Sequence, residues 1–142
     1  MIRMFTDGAW RRKDKAAGAG VVLIYKDNSI FTHLKHLGDV TNNSAELQAI
    51  LLGLEVIINE TGTSTPICVY SDSSYAIGML TKDWKTRANK QLVEDGRLLV
   101  SRFKNIKFKW VKGHSKNLYN KLADTLANIA IDQHFGLDNY EN

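Results

Sequence analysis

Four carboxylates fall in four separate segments of this chain, each inside a local pattern that could aim it at one place. They are Asp7 in Met4-Phe5-Thr6-Asp7-Gly8, Glu46 in Thr41-Asn42-Asn43-Ser44-Ala45-Glu46-Leu47, Asp72 in Val69-Tyr70-Ser71-Asp72-Ser73, and Asp124 in Asn120-Lys121-Leu122-Ala123-Asp124. Such a set suits a hard divalent cation such as Mg²⁺, which takes oxygen ligands and keeps several waters. A thiolate site is excluded, because Cys68 is the single cysteine. It lies in an apolar run and reads as a small buried hydrophobe, which fits a reducing compartment. No histidine pair has metal-ligand spacing, and His33 and His36 read as surface or edge residues of a strand.

Each acid alone also has an ordinary explanation. Asp7 before Gly8 reads as a turn, or as a strand carboxylate whose buried charge needs a cation. Glu46 completes a capping box with Asn43-Ser44-Ala45, yet helical geometry puts it beside Ile50 and Ile57 at the edge of a buried stripe. Asp72 reads as an N-cap, though ligand sites also form at the carboxyl ends of buried strands. Asp124 lies on the polar side of a helix, one turn after Asn120, where a solvated acid is common. His114, in Trp110-Val111-Lys112-Gly113-His114-Ser115, is either an exposed loop residue or a proton-transfer group whose pKa lies near neutrality.

The elements that must position these residues follow from periodicity. Residues 2–8 read as a strand, 8–20 as a basic, glycine-punctuated connection, 20–26 and 30–37 as two further strands of an antiparallel meander. Helical spacing then takes over through Leu47, Ile50, Leu51, Leu54 and Ile57, with Gly62 closing the helix and Pro66 forbidding its continuation. Ile67-Cys68-Val69-Tyr70 reads as a buried strand and 73–80 as a helix capped by Asp72 or Ser73. A helix over 89–103 follows, with Leu92, Leu98, Leu99 and Phe103 on its apolar side. A strand over 106–111 and a helix over 117–134 complete the series, the helix placing Leu118, Leu122, Leu126 and Ile129 on one face. The tail from Gly136 is polar and is expected to fray. This order gives an α/β fold: a mixed five-stranded sheet, made of a three-strand antiparallel meander plus parallel strands, flanked by about four helices.

A chain of 142 residues is one domain by length, here 1–135 with a polar tail over 136–142. No stretch of about 18 apolar residues exists, and the N-terminus has neither a long apolar core nor a small-residue cleavage site. A cytoplasmic monomer without a membrane span is expected. The net charge of +4 is unevenly spread. From Lys82 to Lys116 there are eleven basic residues against three acidic ones, whereas from Asn117 to Asn142 there is one lysine against four acids. The basic block suits a polyanionic partner, or else is a solvated helix face.

Taken together, Thr6-Asp7-Gly8, Thr41-Asn42-Asn43 followed by Glu46-Leu47, Ser71-Asp72-Ser73 with Tyr75, and Val111-Lys112-Gly113-His114 followed by Asn120 and Asp124 resemble the type 1 ribonuclease H family, in its order and from about residue 2 to 130. The resemblance implies the ribonuclease H fold and endonucleolytic hydrolysis of the RNA strand of RNA/DNA hybrids, leaving 5′-phosphate and 3′-hydroxyl ends. It implies two Mg²⁺ ions, with Mn²⁺ able to substitute, held by Asp7, Glu46, Asp72 and Asp124 as catalytic residues, with His114 assisting turnover. It further implies substrate contacts from Gly8, Thr41, Asn42, Asn43, Ser73, Tyr75, Trp84, Lys85, Thr86, Arg87, Asn89, Lys90 and Asn120. Asn42 and Asn43 match the positions that sense the 2′-hydroxyl, and Thr41 and Asn89 match two of three in a DNA-phosphate pocket. The third falls on Asp39, which cannot donate to phosphate, so Lys35, Arg87 or Lys90 would have to replace it. The short segment from Met79 to Trp84 resembles members that lack the extra basic helix known as the handle. Trp84 either packs on a sugar or anchors the segment. A rival reading is a non-catalytic hybrid-binding module on the same fold, against which the presence of all four acids argues. A proofreading exonuclease would need a second acid where Ala9 stands.

Overall fold

The computed structural model describes residues 1–113 and 117–141, with side chains described as far as Gly136. Its elements are β1 (Ile2–Arg11), β2 (Ala16–Ile24), β3 (Ile30–Gly38), α1 (Asn42–Thr61), β4 (Ile67–Ser71), α2 (Ser74–Thr81), α3 (Lys90–Arg102), β5 (Ile106–Trp110) and α4 (Leu118–Glu141). The sheet order is β3-β2-β1-β4-β5. β1 pairs antiparallel with β2, and β2 with β3, while β4 runs parallel to β1 and to β5. The expected meander followed by parallel strands is therefore the observed topology. No described helix is long and apolar enough to cross a membrane.

Helices cover both faces of the sheet, so the central strands are buried on both sides and lose the polar half of their alternation. Every residue of β2 is buried. In β1 consecutive side chains go to opposite faces. Met4 joins Val21, Leu47, Ile50, Leu54 and Val69 beneath α1, and Phe5 joins Val22, Ile24, Ala123 and Leu126 beneath α4. Phe5 also stacks on Tyr70, with ring centroids 4.4 Å apart.

The segment 8–20, expected to be a connection, is mostly strand. β1 continues to Arg11 and β2 begins at Ala16, leaving a turn at 12–15 in which Lys15 takes φ 47°. The glycines that suggest a loop do something else. A Cβ built on Gly18 would lie 2.1 Å from the Ala127 carbonyl oxygen, and one on Gly20 would lie 2.1 Å from that of Ala123. Their missing side chains let α4 lie directly on β2, and the residues of α4 that meet the sheet are correspondingly small. Ala123, Ala127 and Ala130 are buried with Leu126 and Ile131, while Leu118, expected on the buried face, is 76% exposed.

Other boundaries move for local reasons. The cap of α1 is Thr41, whose side chain accepts from the Ser44 N–H at 3.1 Å. Glu46 is therefore not the last member of a capping box and its carboxylate is left for another role. The cap of α2 is Ser73, which accepts from the Ala76 N–H, so Asp72 is likewise freed. Gly62, at φ 82°, ends α1 as expected, its N–H donating to the carbonyls of Ile57 and Ile58. On α3 the buried positions are Val93 and Gly96, and Leu98 is 67% exposed. α4 is helical through Gly136 to Glu141, across the point where the polar tail is expected to begin. A lone glycine with no proline behind it costs a helix only about 1 kcal/mol.

The contact between α4 and β2 is backbone against backbone and cannot yield by rotating a side chain. Gly20→Ala should destabilise the protein by about 1–3 kcal/mol through overpacking, read as a lower urea midpoint. Gly38, with nothing within 4 Å of a built Cβ but φ 76°, should show only the smaller cost of backbone strain when changed to Ala. An unchanged midpoint for Gly20→Ala would contradict the close approach.

Candidate active site

Asp7 comes from β1, Glu46 from the second turn of α1 and Asp72 from the residue after β4. One carboxylate oxygen from each lies within 4.8 Å of the other two. The packing that brings them together starts at Gly8. A Cβ there would lie 2.5 Å from the Ala45 carbonyl carbon, so only glycine lets the first turns of α1 settle on β1. The same residue ties two of the acids, since its N–H donates to Asp7 Oδ1 at 3.1 Å and also to Glu46 Oε1. Asp72 is held from the other side. The indole N–H of Trp110, at the end of β5, donates to the Asp72 carbonyl at 3.0 Å, and the Val111 N–H donates to the Ser71 carbonyl at 2.9 Å.

The cluster is electrostatically costly. Asp7 and Glu46 are each 6% exposed. Burial is the largest cause of a raised Asp7 carboxyl, ahead of the charge of Asp72, and it goes up to about 8. Glu46 is pushed up to about 10, again by burial first and the charge of Asp7 second, with the Gly8 N–H opposing. Loss of water around these carboxyls is therefore the largest single cause at both, ahead of the charge of any one neighbour. Protons leave such neighbours as a set rather than one residue at a time. One oxygen of Asp72, Oδ1, is buried and has no hydrogen-bond partner among the described residues. An orphaned acceptor in a buried carboxylate cluster fits a hard cation, which would satisfy it and neutralise its neighbours.

The fourth acid stands apart from this set. Asp124 is exposed on α4, and its Oδ1 accepts from Asn128 Nδ2 at 3.3 Å. It is still near enough to contribute to the upward push on Asp7. The structure thus brings three of the four expected acids into one ligand set and leaves the fourth at its edge. His114 lies outside the described residues. The residue before it passes the cluster, because a Cβ built on Gly113 would lie 3.5 Å from Asp72 Oδ2.

Beside the acids is a groove of about 530 Å³ lined by Thr41, Asn43, Tyr75, Met79, Trp84, Lys85, Arg87, Ala88 and Asn89. It shares the start of α1 with Glu46 and the start of α2 with Asp72. Seven of the expected substrate-contact residues are on its wall: Thr41, Asn43, Tyr75, Trp84, Lys85, Arg87 and Asn89. Lys85 and Arg87 bring positive charge next to Thr41 and Asn89, which Asp39, exposed on the turn before α1, does not. Asn42, Thr86 and Lys90 are chain neighbours of the wall without lining it. Ser73 is used as the α2 cap, Gly8 as the seat of α1, and Asn120 is buried in the first turn of α4, its Oδ1 without a partner among the described residues. Two contributors were not visible in the sequence. Trp110 reads as part of a motif, but its grip on Asp72 depends on where β5 ends. Gly78 reads as a helix interior glycine, but a Cβ on it would lie 2.1 Å from the Trp84 ring. A second hollow, of about 600 Å³, lies at the other end of the sheet against Tyr25, Phe31 and Val56, away from the acids.

Known proteins share this architecture. A family model described as RNase H matches residues 1–132. Ribonuclease H of Desulforamulus reducens is 34% identical, over 93% of this chain and 88% of its own length. Among solved structures, RNase H1 of the halophilic archaeon Halobacterium salinarum superposes with a TM-score of 0.80 at 28% identity, covering 93% of this chain and 98% of that one. LC11-RNase H1, solved in complex with an RNA/DNA hybrid, has a TM-score of 0.81 at 24% identity, covering 95% and 99%, and shows the shared fold. A match this long, in a sheet of the same topology carrying a carboxylate cluster at its centre, means that the chain belongs to the RNase H family.

Proposed function

We propose that this protein hydrolyses the RNA strand of RNA/DNA hybrids with divalent ions, leaving 5′-phosphate and 3′-hydroxyl ends. The observation that carries the reading is the convergence of Asp7, Glu46 and Asp72, from three separate elements, within 4.8 Å beside a groove bearing Lys85, Arg87 and Trp84. Asp7, Glu46, Asp72 and, at the edge, Asp124 would hold two ions, Mg²⁺ by preference and Mn²⁺ as a substitute. When bound, such ions supply the positive charge that activates water and stabilises the leaving oxygen in phosphodiester hydrolysis.

The chain's own residues do the rest. Lys85 and Arg87 meet backbone phosphates, with Thr41 and Asn89 as neutral donors beside them. The amides of Asn42 and Asn43, one turn before Glu46, would hydrogen-bond a 2′-hydroxyl, the group that separates RNA from DNA. Trp84, 44% exposed, offers an apolar face to a sugar. His114, the next residue in the chain after Gly113, takes or gives a proton at its imidazole nitrogen as product leaves.

The direct test is a gel assay of a hybrid with end-labelled RNA, incubated with Mg²⁺, Mn²⁺ or EDTA, beside RNA-duplex and DNA-duplex controls. Cleavage of the hybrid alone, and only with metal, is expected. Asp72→Asn should lower kcat by at least about a thousandfold while hybrid affinity changes little, since the charge on the transition state is what the acids serve. His114→Ala should slow turnover without abolishing it. Equal cutting of the RNA duplex, or near wild-type rates for Asp72→Asn in Mg²⁺, would refute the reading.

The raised carboxyls also fix a pH dependence for the metal-free protein. A carboxyl that goes up on folding is protonated in the native chain where the unfolded chain has already lost its proton. Its contribution is complete below the unfolded value near 3.8 and is lost as the pH rises toward about 8. Melting temperature in EDTA should therefore fall between pH 4 and pH 8, once the pH response of a variant lacking the acid is subtracted. Asp7→Asn keeps the oxygen that accepts from Gly8 and is neutral in both states, so folding no longer has to protonate a carboxylate. It should stabilise the metal-free protein at pH 7 by on the order of 2 kcal/mol, because each tenfold change in proton affinity is worth about 1.4 kcal/mol and the amide recovers only part of it. Millimolar Mg²⁺ should narrow that gap by binding the native wild type alone. A variant melting below wild type in EDTA would show that Asp7 is not strained.

A further inference from the structure

Residues 82–89, which join α2 to α3, supply Trp84, Lys85, Arg87, Ala88 and Asn89 to the groove without belonging to a helix or strand. A segment with so many charged side chains and no ladder of its own should sample many shapes, and fixing it costs entropy. Something outside the segment has to hold it.

We propose that Arg97 of α3 is a positioning residue that clamps this loop into the shape that grips the hybrid. The proposal rests on the functional reading above. The Arg97 Nε–H donates to the Met79 carbonyl at 2.7 Å, and Nη2 donates to the carbonyls of Lys82 at 3.2 Å and Trp84 at 2.9 Å. These three oxygens belong to the last turn of α2, the residue that caps it and the middle of the loop. One guanidinium therefore satisfies carbonyls that the end of α2 leaves open and ties Trp84 to them. The planar fork, with five donors in fixed directions, can reach three acceptors at once, whereas a lysine ammonium at that position is a single point.

Two other contacts hold the Trp84 side chain, while Arg97 holds its main chain. The Trp84 ring lies where a Cβ of Gly78 would be, so α2 is carved out to receive it. Lys82 Nζ lies over the same ring, 5.2 Å from its centroid. At the far end of the loop Asn89 takes φ 59° and its Nδ2 donates to the Tyr75 hydroxyl at 3.3 Å. The loop is pinned at both ends and, through Arg97, in the middle. Arg97 is not on the groove wall. Its charge faces main-chain oxygens, while Lys85 and Arg87 face the groove. None of the three clustered acids touches the clamp, so releasing it should weaken substrate binding and leave the chemical step alone.

The test uses Arg97→Met, which keeps the aliphatic stem and removes every donor, and Arg97→Lys, which restores a single charged donor nitrogen. Each is measured by steady-state hybrid cleavage in Mg²⁺ and by limited trypsin digestion. Arg97→Met should raise KM by about tenfold, the size expected for loss of charge-assisted hydrogen bonds that order a binding loop, with kcat within about twofold of wild type. Arg97→Lys should fall between. Trypsin should cut Arg97→Met after Lys82, Lys85 or Arg87 sooner than wild type, with the remaining fragments still resistant. If wild type cleaves hybrids and Arg97→Met has an unchanged KM, or a loss in kcat alone, the positioning role is overturned while the functional reading stands. Should Arg97→Met fail to fold, a wild-type KM in Arg97→Lys overturns the role by itself. If wild type does not cleave hybrids, the functional reading fails and the positioning role with it, whatever trypsin shows.

Discussion

Burying two carboxyls beside a third is the constraint around which this structure is organised. Taking Asp7 and Glu46 out of water raises both, and the charges of their neighbours push them further in the same direction. An isolated buried charge of this kind is normally neutralised or paired. Among the described residues no lysine or arginine forms a salt bridge with the cluster; the salt bridges that are present join Arg11 to Asp14 and Asp132. The cluster is left short of positive charge at the place where a cation could supply it. In that sense the metal-free protein stores a strain that ligand binding relieves, and the stability of the fold is lowered locally in favour of the site.

Glycine makes the arrangement possible. The carboxylates come from elements that would otherwise be kept apart by their own side chains. Gly8 lets α1 settle on β1 and so delivers Glu46 to Asp7. Gly18 and Gly20 let α4 lie on β2, which brings Asp124 to the edge of the same cluster because Asp7 pairs with Gly20 across the two strands. Gly78 gives Trp84 its seat on the groove wall. At each point a Cβ would meet backbone or ring atoms at less than 3 Å. The chemistry-bearing residues are thus positioned by the absence of neighbours' side chains as much as by the packing of those present.

Much of this was legible in the sequence. The four acids sit in local patterns whose order survives folding, and the change from strand to helical periodicity marks the meander and the parallel strands. The parts that were not legible share a cause, which is that tertiary approach decides among local options of similar strength. Thr41-Asn42-Asn43-Ser44 offers four residues able to cap a helix, and only the placement of α1 on Gly8 selects Thr41. The leucines of α4 suggest a stripe through Leu118, but where backbone meets backbone the buried positions go to alanine. Leu98 on α3 is exposed for a similar reason, because Gly96 makes the contact, its missing Cβ leaving room for Leu80 and Leu51. Glycines in 8–20 read as loop because their other use, close approach in a strand, needs the partner helix to be seen. Arg97 carries no local signal at all, since its partners are main-chain oxygens of another element.

On this account the buried carboxyls keep protons until a cation takes their place. Calorimetric titration of the wild-type protein with Mn²⁺ at pH 7, repeated in buffers of different ionisation enthalpy, measures this directly. Ligation by carboxylates raised above neutrality must expel protons, so the apparent enthalpy should vary with the buffer in the sense of release, by about two protons for the cluster, one each from Asp7 and Glu46. A binding enthalpy that is the same in every buffer would mean that the carboxyls are already ionised in the metal-free protein, and the strain described here would not exist.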